Sequence, residues 1–296
     1  MLFKKPELED LPALKGYFED QYFTNSAYTL GSFYLWSAFY DSEYAIINDM
    51  MICKDYNEGF SFSFPIGKGD PKPVIDQTLA YCEEQGIPFV MHGVTKDIEQ
   101  KMIQMYGDVF DVVYDRDEAD YVYLSEKLIS LSGKKLHGKR NHINRFNANH
   151  TWSYEPITDE NALECLTMLM QWKTDNCESN DQDMRNEVCA AKNAIMYHKE
   201  LGFQGGLIRC EGEIIAFSLG EPLNEDTYVV HFEKAFSHIQ GAYPIINQQF
   251  VLHVAKDYKY INREEDCGED GLRQAKLSYR PEMMIEKAIL KFKEKE

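Results

Sequence analysis

The sequence predicts an α/β (α+β) protein with two similar halves, each with a mixed, mainly antiparallel sheet, joined by a basic helix. Three observations support this prediction. The order of strands and helices predicted by hydrophobic periodicity occurs twice along the chain. The 296 residues, 44% of them hydrophobic, suffice for a full core and favour two domains. A basic segment lies between the halves, although the net charge is −18. We therefore expect domains at residues 1–130 and 151–296, with a connecting helix at 131–150.

The first half begins with two predicted helices, an amphipathic one over Glu9–Gln21 and a short aromatic one over Phe33–Tyr40. Three strands, a helix, a strand, a helix and two further strands follow. Their predicted ranges are Tyr44–Ile47, Met50–Lys54, Phe60–Pro65, Pro73–Gln85, Phe89–His92, Thr95–Met105, Val109–Tyr114 and Tyr121–Leu124. The pair Asn48-Asp49 is typical of a hairpin turn, and Gly86 is typical of a helix end.

The connector, a predicted helix over Leu128–Asn149, is a basic part of an acidic chain. No acidic residue occurs from Lys127 to Tyr154, whereas that span contains several basic residues: Lys127, Lys134, Lys135, Lys139, Arg140 and Arg145. Two interpretations stay open. Either the segment docks onto the acidic halves on both sides, or it forms a wall that contacts phosphate groups.

The second half repeats the plan with a strand, two helices, three strands, a helix, a strand, a short helix and a last strand. Their predicted ranges are Thr151–Pro156, Asn161–Cys177, Glu187–Leu201, Gln204–Cys210, Ile214–Gly220, Thr227–Ala235, Tyr243–Lys256, Tyr260–Asn262, Leu272–Lys276 and Met283–Phe292. A polar loop over Glu178–Arg185 separates the first two helices. The apolar pattern of the last segment fits a strand or a helix, and the element order favours a strand.

The composition excludes several classes of protein. The seven cysteines are scattered and form no C-x-x-C pair, which argues against a disulfide framework or a metal site and for a reducing cytoplasm. No apolar run approaches the length of a membrane helix, and the N-terminus has no apolar signal core. The metalloprotease, serine-hydrolase, phosphate-loop and dinucleotide fingerprints are absent. We therefore expect a cytoplasmic protein without a metal and without an integral membrane segment.

Several stretches of the sequence resemble one known family. They are Gly138–Phe146, Val230–Ala235, Gly241–Asn247, and Ile261–Gly268 with its continuation Gly271–Tyr279. They are similar to the soluble DUF2156-type relatives of the C-terminal domain of phosphatidylglycerol lysyltransferase. That family has a tandem GNAT acyltransferase fold and is akin to the Fem-type peptidoglycan aminoacyltransferases. The resemblance covers nearly the whole chain and is specific in the connector and the second half.

The resemblance implies an acyltransferase, and three functions stay open. The first is transfer of an acyl group from acyl-coenzyme A to an amine, which would make both partners small molecules. The second is transfer from an aminoacyl-tRNA to a lipid or peptide acceptor, as in the lysyltransferases. The net charge of −18 makes tRNA the less favoured donor. The third is a non-catalytic, ligand-binding relative that has kept the fold.

The resemblance also implies a place for the phosphates of the donor. In GNAT enzymes the pyrophosphate of coenzyme A lies where the fourth strand leads into a helix. Free backbone N–H groups and the helix dipole attract anions there. In the second half this point is Gln240, Gly241, Ala242 and Tyr243, and in the first half it is the loop 67–69. For each loop the alternative is an ordinary strand-to-helix turn that contains glycine.

Two residues of one predicted strand are candidates for proton transfer. Glu233 and His231 alternate with Phe232, so we expect both side chains on one side of the sheet. A carboxylate and an imidazole side by side would accept the proton of an amine. The alternative is that Glu233 pairs with Arg209 or Lys234 and that His231 is a buried core residue.

The last predicted helix and its flanks contain the remaining candidates. In the Fem-like relatives a lysine is thought to stabilise the oxyanion, which implies this role for Lys276, and Tyr279 would give a proton to the leaving group. The alternative is that Lys276 only neutralises the C-terminal end of its helix. The predicted substrate-binding residues are Lys139, Arg140, Asn141, Asn144, Asn262, Asp266 and Arg273.

Overall fold

The computed structural model describes residues 1–19, 21–56, 59–176 and 182–294, and the chain folds into two compact units. Unit 1 comprises Met1–Asp120, Glu265–Glu269 and Met284–Glu296, and unit 2 comprises Tyr121–Glu264 and Asp270–Met283. The domain boundaries predicted at residues 130 and 150 stay a prediction. Cys177 and the first residues of the polar loop predicted from position 178 lie outside the described residues.

The secondary structure follows the predicted alternation of strands and helices. The helices are α1 (Leu11–Glu19), α2 (Leu30–Ser37), α3 (Pro71–Gln85), α4 (Lys96–Tyr106), α5 (Ser125–Ser130), α6 (His137–Asn149), α7 (Ala162–Asn176), α8 (Gln182–Met196), α9 (His198–Leu201), α10 (Ala242–Phe250) and α11 (Asp270–Ser278). The strands are β1 (Glu43–Ile47), β2 (Met50–Tyr56), β3 (Phe60–Phe62), β4 (Ile66–Gly67), β5 (Val90–Val94), β6 (Phe110–Leu124), β7 (Trp152–Pro156), β8 (Gln204–Cys210), β9 (Glu213–Pro222), β10 (Thr227–Ala235), β11 (Tyr260–Asn262) and β12 (Met283–Phe292). None of the described helices is long and apolar enough to cross a membrane.

Unit 1 contains a mixed sheet in the order β1-β2-β3-β5-β12, with β4 paired to β2. The strands β1 and β2 form an antiparallel hairpin, and β3 and β5 pair in parallel. The hairpin turn is made by Asn48 and Asp49, whose φ angles of 50° and 58° are those that a tight two-residue hairpin requires. The predicted turn is therefore confirmed, and so is the strand predicted at Met283–Phe292.

Unit 2 contains a sheet in the order β6-β11-β10-β9-β8-β7. The pair β10–β11 is parallel, and the other neighbours are antiparallel. After Phe250 the helix α10 continues as a π-helical turn over Val251–Ala255. The sheets of both units are thus mixed and mainly antiparallel, which confirms the predicted fold class.

Three elements differ from their predicted form. The helix α8 begins at Gln182, so residues 182–185 of the loop predicted over Glu178–Arg185 are helical. The strand β6 runs without a break over 15 residues, where two strands were predicted. Its middle part, Asp115–Glu118, is charged and largely exposed, so the apolar alternation that marks a strand is missing there. The predicted connector helix is interrupted between α5 and α6. Leu131 and Gly133 have left-handed φ angles of 48° and 90°, which a helix cannot contain.

Candidate functional site

The strand β10 directs charged side chains to both faces of the sheet of unit 2. Glu233 accepts a hydrogen bond from Nδ2 of Asn247 in α10 at 2.8 Å. Lys234 points the other way: its Nζ donates to Glu187 of α8 at 2.6 Å and lies 4.0 Å from the ring centroid of Trp172 in α7. One face of β10 is therefore covered by α10, and the other by α7 and α8.

A β-bulge in β10 separates the two residues that were predicted to share a face. Val229 lies opposite Glu221 of β9, whereas Glu233 lies opposite Ser218, with a register shift between these pairs. Positions 218 and 221 of a strand face opposite sides, and paired residues face the same side. His231 is hydrogen-bonded to Glu221 and therefore lies on the face opposite to Glu233. The prediction of one shared face is wrong, because a bulge interrupts the alternation.

Arg263, which directly follows β11, binds Glu233. Its Nη2 donates to Glu233 Oε1 at 2.8 Å, and its guanidinium carbon lies 4.9 Å from the ring centroid of Tyr279 and 5.6 Å from that of Tyr123. Within the described part of the chain, Nη1 of Arg263 and Oδ1 of Asn247 are buried and have no hydrogen-bond partner. One donor and one acceptor thus remain unsatisfied on either side of the same carboxylate.

The partner of Glu233 is not one of those that the sequence suggested. Lys234 binds Glu187, and Arg209 forms ion pairs with Glu155 at 2.9 Å and Glu164 at 2.8 Å. The expectation that Glu233 carries an ion pair is confirmed, but with Arg263 instead of Arg209 or Lys234. Arg263 is distant in sequence and reaches Glu233 only because β10 and β11 are neighbours in the sheet.

Lys276 of α11 points inward to the same part of unit 2. Only 8% of the residue is exposed, and its Nζ donates to the backbone carbonyl of Arg263 at 2.7 Å. The ammonium group lies 5.7 Å from the ring centroid of Tyr121. The carbonyl of Lys276 accepts a hydrogen bond from the hydroxyl of Tyr123 at 2.8 Å. Lys276 is therefore a buried cation held by a backbone oxygen, and not a solvated charge at a helix end.

Lys139 of α6 joins this group through Tyr279. Its Nζ lies 4.0 Å from the ring centroid of Tyr279, and it makes no hydrogen bond or ion pair with any residue that the structure describes. Burial, with a smaller effect from the charge of Arg263, lowers the pKa of Lys139 to about 8, while Glu233 acts in the opposite direction. Burial also raises the pKa of Tyr279. We call Lys139, Glu233, Asn247, Arg263, Lys276 and Tyr279 the central cluster.

His231 is enclosed by two carboxylates. Its Nδ1 lies 2.7 Å from Glu264 Oε1, its Nε2 lies 2.9 Å from Glu221 Oε1, and its ring stacks on Phe203 at 5.1 Å between centroids. Burial by itself lowers the pKa of His231, but the charges and hydrogen bonds of Glu264 and Glu221 outweigh burial and raise the pKa to about 10. At neutral pH the imidazole is charged and donates to both carboxylates, so it has no free lone pair to accept a proton.

The other predicted substrate-binding residues are scattered. Arg140 of α6 donates to the carbonyls of Leu131 and Gly133, and Asn141 bonds to His137. Asn144 is exposed and Arg273 is half-buried. Asn262 is fully buried and its Oδ1 accepts from the backbone of Glu264 at 2.8 Å. Asp266 belongs to unit 1, where it pairs with Arg116 at 3.3 Å. Of this set, only Lys139 belongs to the central cluster.

The predicted phosphate loop begins α10. Gly241 has a φ of 97°, and a Cβ there would lie 2.9 Å from the carbonyl oxygen of His142 in α6. Gly241 and Ala242 are buried, the amide of Ala242 donates to Ile239, and Pro244 has no N–H group. The hydroxyl of Tyr243 accepts from Trp172 at 3.2 Å. Helix α6 therefore packs against this helix start.

The corresponding loop of unit 1 precedes α3. The side chain of Asp70 accepts a hydrogen bond from the amide of Lys72 at 3.0 Å, and Pro71 is the first residue of the helix. A carboxylate of the chain itself therefore occupies the positive end of α3. Lys68 precedes this cap, in the glycine-containing loop after β4.

Three cations of the basic connector face solvent. Lys134, Lys135 and Arg145 are exposed and form no ion pair with any described residue. Of the six basic residues in the segment, Lys127 pairs with a carboxylate, Glu282, at 2.8 Å. The interpretation that the segment docks onto acidic surfaces therefore fits Lys127 but not the three exposed cations.

Asn247 and Arg263 were not predicted as site residues, although both lie in stretches that carry the resemblance. A weak signal exists for each. Asn247 is a polar residue between the apolar Ile246 and Phe250 on a buried helix face, and Arg263 directly follows a buried strand. Buried polar groups require a partner, so such positions mark structural or functional hydrogen bonds.

Comparisons with known proteins identify a family for the chain and solved structures with a similar fold. The family described as phosphatidylglycerol lysyltransferase, C-terminal, matches residues 21–290. A conserved protein of unknown function from Bacteroides thetaiotaomicron is 35% identical, with a TM-score of 0.92 over 98% of this chain and 99% of that chain. L-PGS from Bacillus licheniformis is 17% identical, with a TM-score of 0.68 over 100% of this chain and 95% of that chain. FemX is 7% identical, with a TM-score of 0.57 over 97% of both chains.

A curated relative extends the comparison. An uncharacterized protein from Mycoplasmoides gallisepticum is 26% identical over 206 residues, and the match spans 66% of this chain and 62% of the length of that relative. The similarity to L-PGS and FemX, at 17% and 7% identity, concerns the fold. The fold is therefore the one that L-PGS and FemX share.

Proposed function

The chain belongs to the family of phosphatidylglycerol lysyltransferase C-terminal domains, and from this premise we propose that it transfers an aminoacyl group from an aminoacyl-tRNA to a lipid or peptide acceptor. The observation that carries the proposal is the central cluster of unit 2. It combines two buried or half-buried lysines with a donor and an acceptor that have no partner in the described part of the chain.

The unsatisfied atoms around Glu233 suit a transferred group that carries an amine. Oδ1 of Asn247 is a buried acceptor, and Oγ of Ser218, directly opposite Glu233 on β9, is buried without a partner among the described residues. A substrate ammonium group would donate to these oxygens and to the Glu233 carboxylate. A plain acyl group would leave them unsatisfied, which is the larger penalty. Nη1 of Arg263 would donate to a carbonyl oxygen of the same group.

The lysines of the cluster supply the cation and the base that acyl transfer needs. The acceptor nucleophile attacks the ester carbonyl, and its electron pair displaces the C=O π pair onto oxygen. Lys276, a cation preorganised by the carbonyl of Arg263, stabilises this oxyanion. Lys139, whose pKa of about 8 leaves part of it neutral near pH 7.5, takes the proton of the acceptor. Collapse breaks the ester C–O bond, and Tyr279 gives a proton to the departing ribose oxygen.

The exposed cations of the connector fit the phosphates of a tRNA. Lys134, Lys135 and Arg145 face solvent in the same segment that carries Lys139, and no acidic residue lies between Lys127 and Tyr154. The net charge of −18 opposes a polyanion on average, but binding depends on the local surface. At the start of α10, where a coenzyme A pyrophosphate was expected, Gly241 and Ala242 are buried, with Gly241 against α6, whereas Gln240 is exposed and Tyr243 is half-buried.

Two assays test the proposal. The first measures loss of label from lysyl-tRNA in the presence of phosphatidylglycerol vesicles or a lysine-containing peptide, with wild type, Lys276→Ala and the exposed control Lys192→Ala. Turnover by wild type and the control but not by Lys276→Ala supports the proposal.

The second assay measures the melting temperature with aminoacyl-tRNA and with acetyl-coenzyme A, because a ligand that binds the native state raises it. A melting temperature that rises with acetyl-coenzyme A alone would indicate that acyl-coenzyme A, and not aminoacyl-tRNA, is the donor. Binding of aminoacyl-tRNA without turnover with any acceptor would indicate a ligand-binding relative.

A further inference from the structure

The parallel strands β10 and β11 are tied together beyond their backbone pairing. The pairing covers Thr227–Val229 and Tyr260–Asn262. Beyond this pairing, two ion pairs join β10 to the residues after β11. The cation lies after β11 in one pair and in β10 in the other. On the α10 face, Arg263 donates to Glu233 at 2.8 Å, and on the other face, His231 binds Glu264 at 2.7 Å. Arg263 and Glu264 are consecutive, so one short segment is held from both sides of the sheet.

The backbone of Glu264 adopts a conformation that its side chain alone does not favour. Its φ is 58°, in the left-handed region that non-glycine residues rarely occupy. This angle sets the orientation of the peptide group between Arg263 and Glu264. The carbonyl of that peptide group is the acceptor for Lys276 Nζ at 2.7 Å. The ammonium of Lys276 is thus placed by a strained peptide unit.

We propose that His231 is a positioning residue: by holding the Glu264 side chain it maintains the left-handed backbone of Glu264 and thereby presents the Arg263 carbonyl to Lys276. Only 3% of the His231 side chain is exposed, and the ring contacts Phe203 and Glu221. The Glu264 amide, which belongs to the same peptide group as the Arg263 carbonyl, donates to Asn262 Oδ1 at 2.8 Å, so Asn262 and His231 share in orienting this group. Backbone hydrogen bonds from Arg263 to Tyr121 at 2.9 Å and from Tyr121 to Glu264 at 3.1 Å keep the segment folded when His231 is replaced.

His231 can donate to both Glu264 and Glu221 only when its imidazole is charged. A neutral imidazole has one N–H group and donates to one carboxylate only, whereas His231 lies within hydrogen-bond distance of two. The groups that face it are Glu221 from β9, Glu264 from the segment after β11, and the Phe203 ring before β8. His231→Gln keeps a donor for one carboxylate and turns an oxygen towards the other.

The test measures Lys276 without any substrate. The rate at which acetic anhydride acetylates each lysine is followed by mass spectrometry in wild type, His231→Gln, Glu264→Gln and the double variant. We expect Lys276 to become severalfold more reactive in both single variants, because it loses its carbonyl partner, and to gain little more in the double variant. Lys234 and Lys192 should keep their rates. His198→Gln, another buried histidine of unit 2, serves as the control and should leave Lys276 unchanged.

Unchanged reactivity of Lys276 in His231→Gln, or an equal rise for all lysines, would overturn the inference. Only the kinetic consequence rests on the proposed function. If Lys276 stabilises the oxyanion, His231→Gln lowers kcat with little change in KM. Selective exposure of Lys276 with unchanged kcat would confirm the positioning and contradict the role proposed for Lys276 in transfer, so the two failures are distinguishable.

Discussion

At the scale of single residues, the same burial that lowers the pKa of Lys139 also destabilises the fold. The folded state lowers the pKa of Lys139 to about 8, below its ordinary value of 10.5, so the charged form is disfavoured by folding. This penalty is present below pH 8 and disappears as the pH rises from 8 towards 10.5. Lys139→Met should therefore stabilise the protein by about 1–2 kcal/mol at pH 7, and less at pH 10. It should also lower turnover by roughly 10²-fold or more.

Thermal unfolding and initial rates on the same preparations check this pair of effects. Lys192→Met, which replaces an exposed lysine of α8, is the control and should change neither. A loss of stability at pH 7 in Lys139→Met would contradict the lowered pKa, whereas stabilisation with unchanged turnover would leave Lys139 outside the reaction.

Replacement of Lys276 should have a large effect on the rate and little effect on the affinity for the donor. A preorganised cation that meets the developing oxyanion stabilises the transition state more than the bound ester, so Lys276→Ala should lower kcat by about a hundredfold or more. Lys276→Arg should restore only part of it, because a planar guanidinium does not replace a compact ammonium that donates to the Arg263 carbonyl. Equal losses in kcat and donor binding would mean that Lys276 only holds the donor.

His231 links stability to alkaline pH. Its pKa is about 10 in the fold and about 6.5 when unfolded. Because the folded pKa is raised, the stabilising contribution of His231 is complete below pH 6.5 and is lost as the pH rises through 10. The melting temperatures of wild type and His231→Gln should differ most near pH 6 and converge by about pH 10. A difference that does not change with pH would show that the charge of His231 plays no part.

At the scale of elements, the connector gives the sharpest prediction. Replacing Lys134, Lys135 and Arg145 by glutamate should weaken tRNA retention and flatten its salt dependence. Each phosphate that is no longer neutralised by a cation reduces the slope of log K against log salt by about 0.7–0.9. The matched control also reverses three cations, Lys192, Lys199 and Lys256, which are exposed elsewhere in unit 2. The same slope in both proteins would exclude the connector as the tRNA-binding surface.

The elements also show which features of the fold the sequence could and could not predict. The hairpin at Asn48 and Asp49 has local turn chemistry and was predicted correctly. The bulge at His231 leaves no such mark, because the strand residues around it are all compatible with regular alternation, and it reverses the face of one predicted site residue. Leu131 likewise shows no sequence signal for its left-handed φ of 48°, which ends α5.

At the scale of the whole molecule, the order of elements was sufficient for the fold class, but the site depends on interactions between distant segments. The central cluster gathers side chains from α6, β10, α10, the end of β11 and α11, which span positions 139 to 279. Lys139, Lys276, Glu233 and Tyr279 were predicted individually from the resemblance and from residue chemistry. Their mutual arrangement, and the part of Arg263 in joining them, follow only from strand pairing and helix packing.

The path of the chain through the two units makes the predicted boundary at residue 150 testable. Unit 2 begins at Tyr121, and the end of β6, Val122–Leu124, pairs with β11. A fragment of residues 151–296 therefore lacks the neighbour of β11 and also lacks α6, whose residues cover Gly241 at the start of α10. Without these elements, Ile261 and Ala242, both fully buried in the full chain, lose their cover.

We therefore expect the fragment 151–296 to be poorly folded, and the fragment 121–283, which retains every residue of the central cluster and both missing elements, to be better ordered. The dispersion of amide resonances in ¹⁵N-edited NMR spectra of the two fragments is the measurement, with the full chain as reference. A cooperative thermal transition in 121–283 alone would place the boundary before the end of β6, since cooperative unfolding requires a complete core. A well-dispersed spectrum from 151–296 would instead support the boundary predicted from the sequence, and would mean that strand β6 and helix α6 stabilise the second half only marginally.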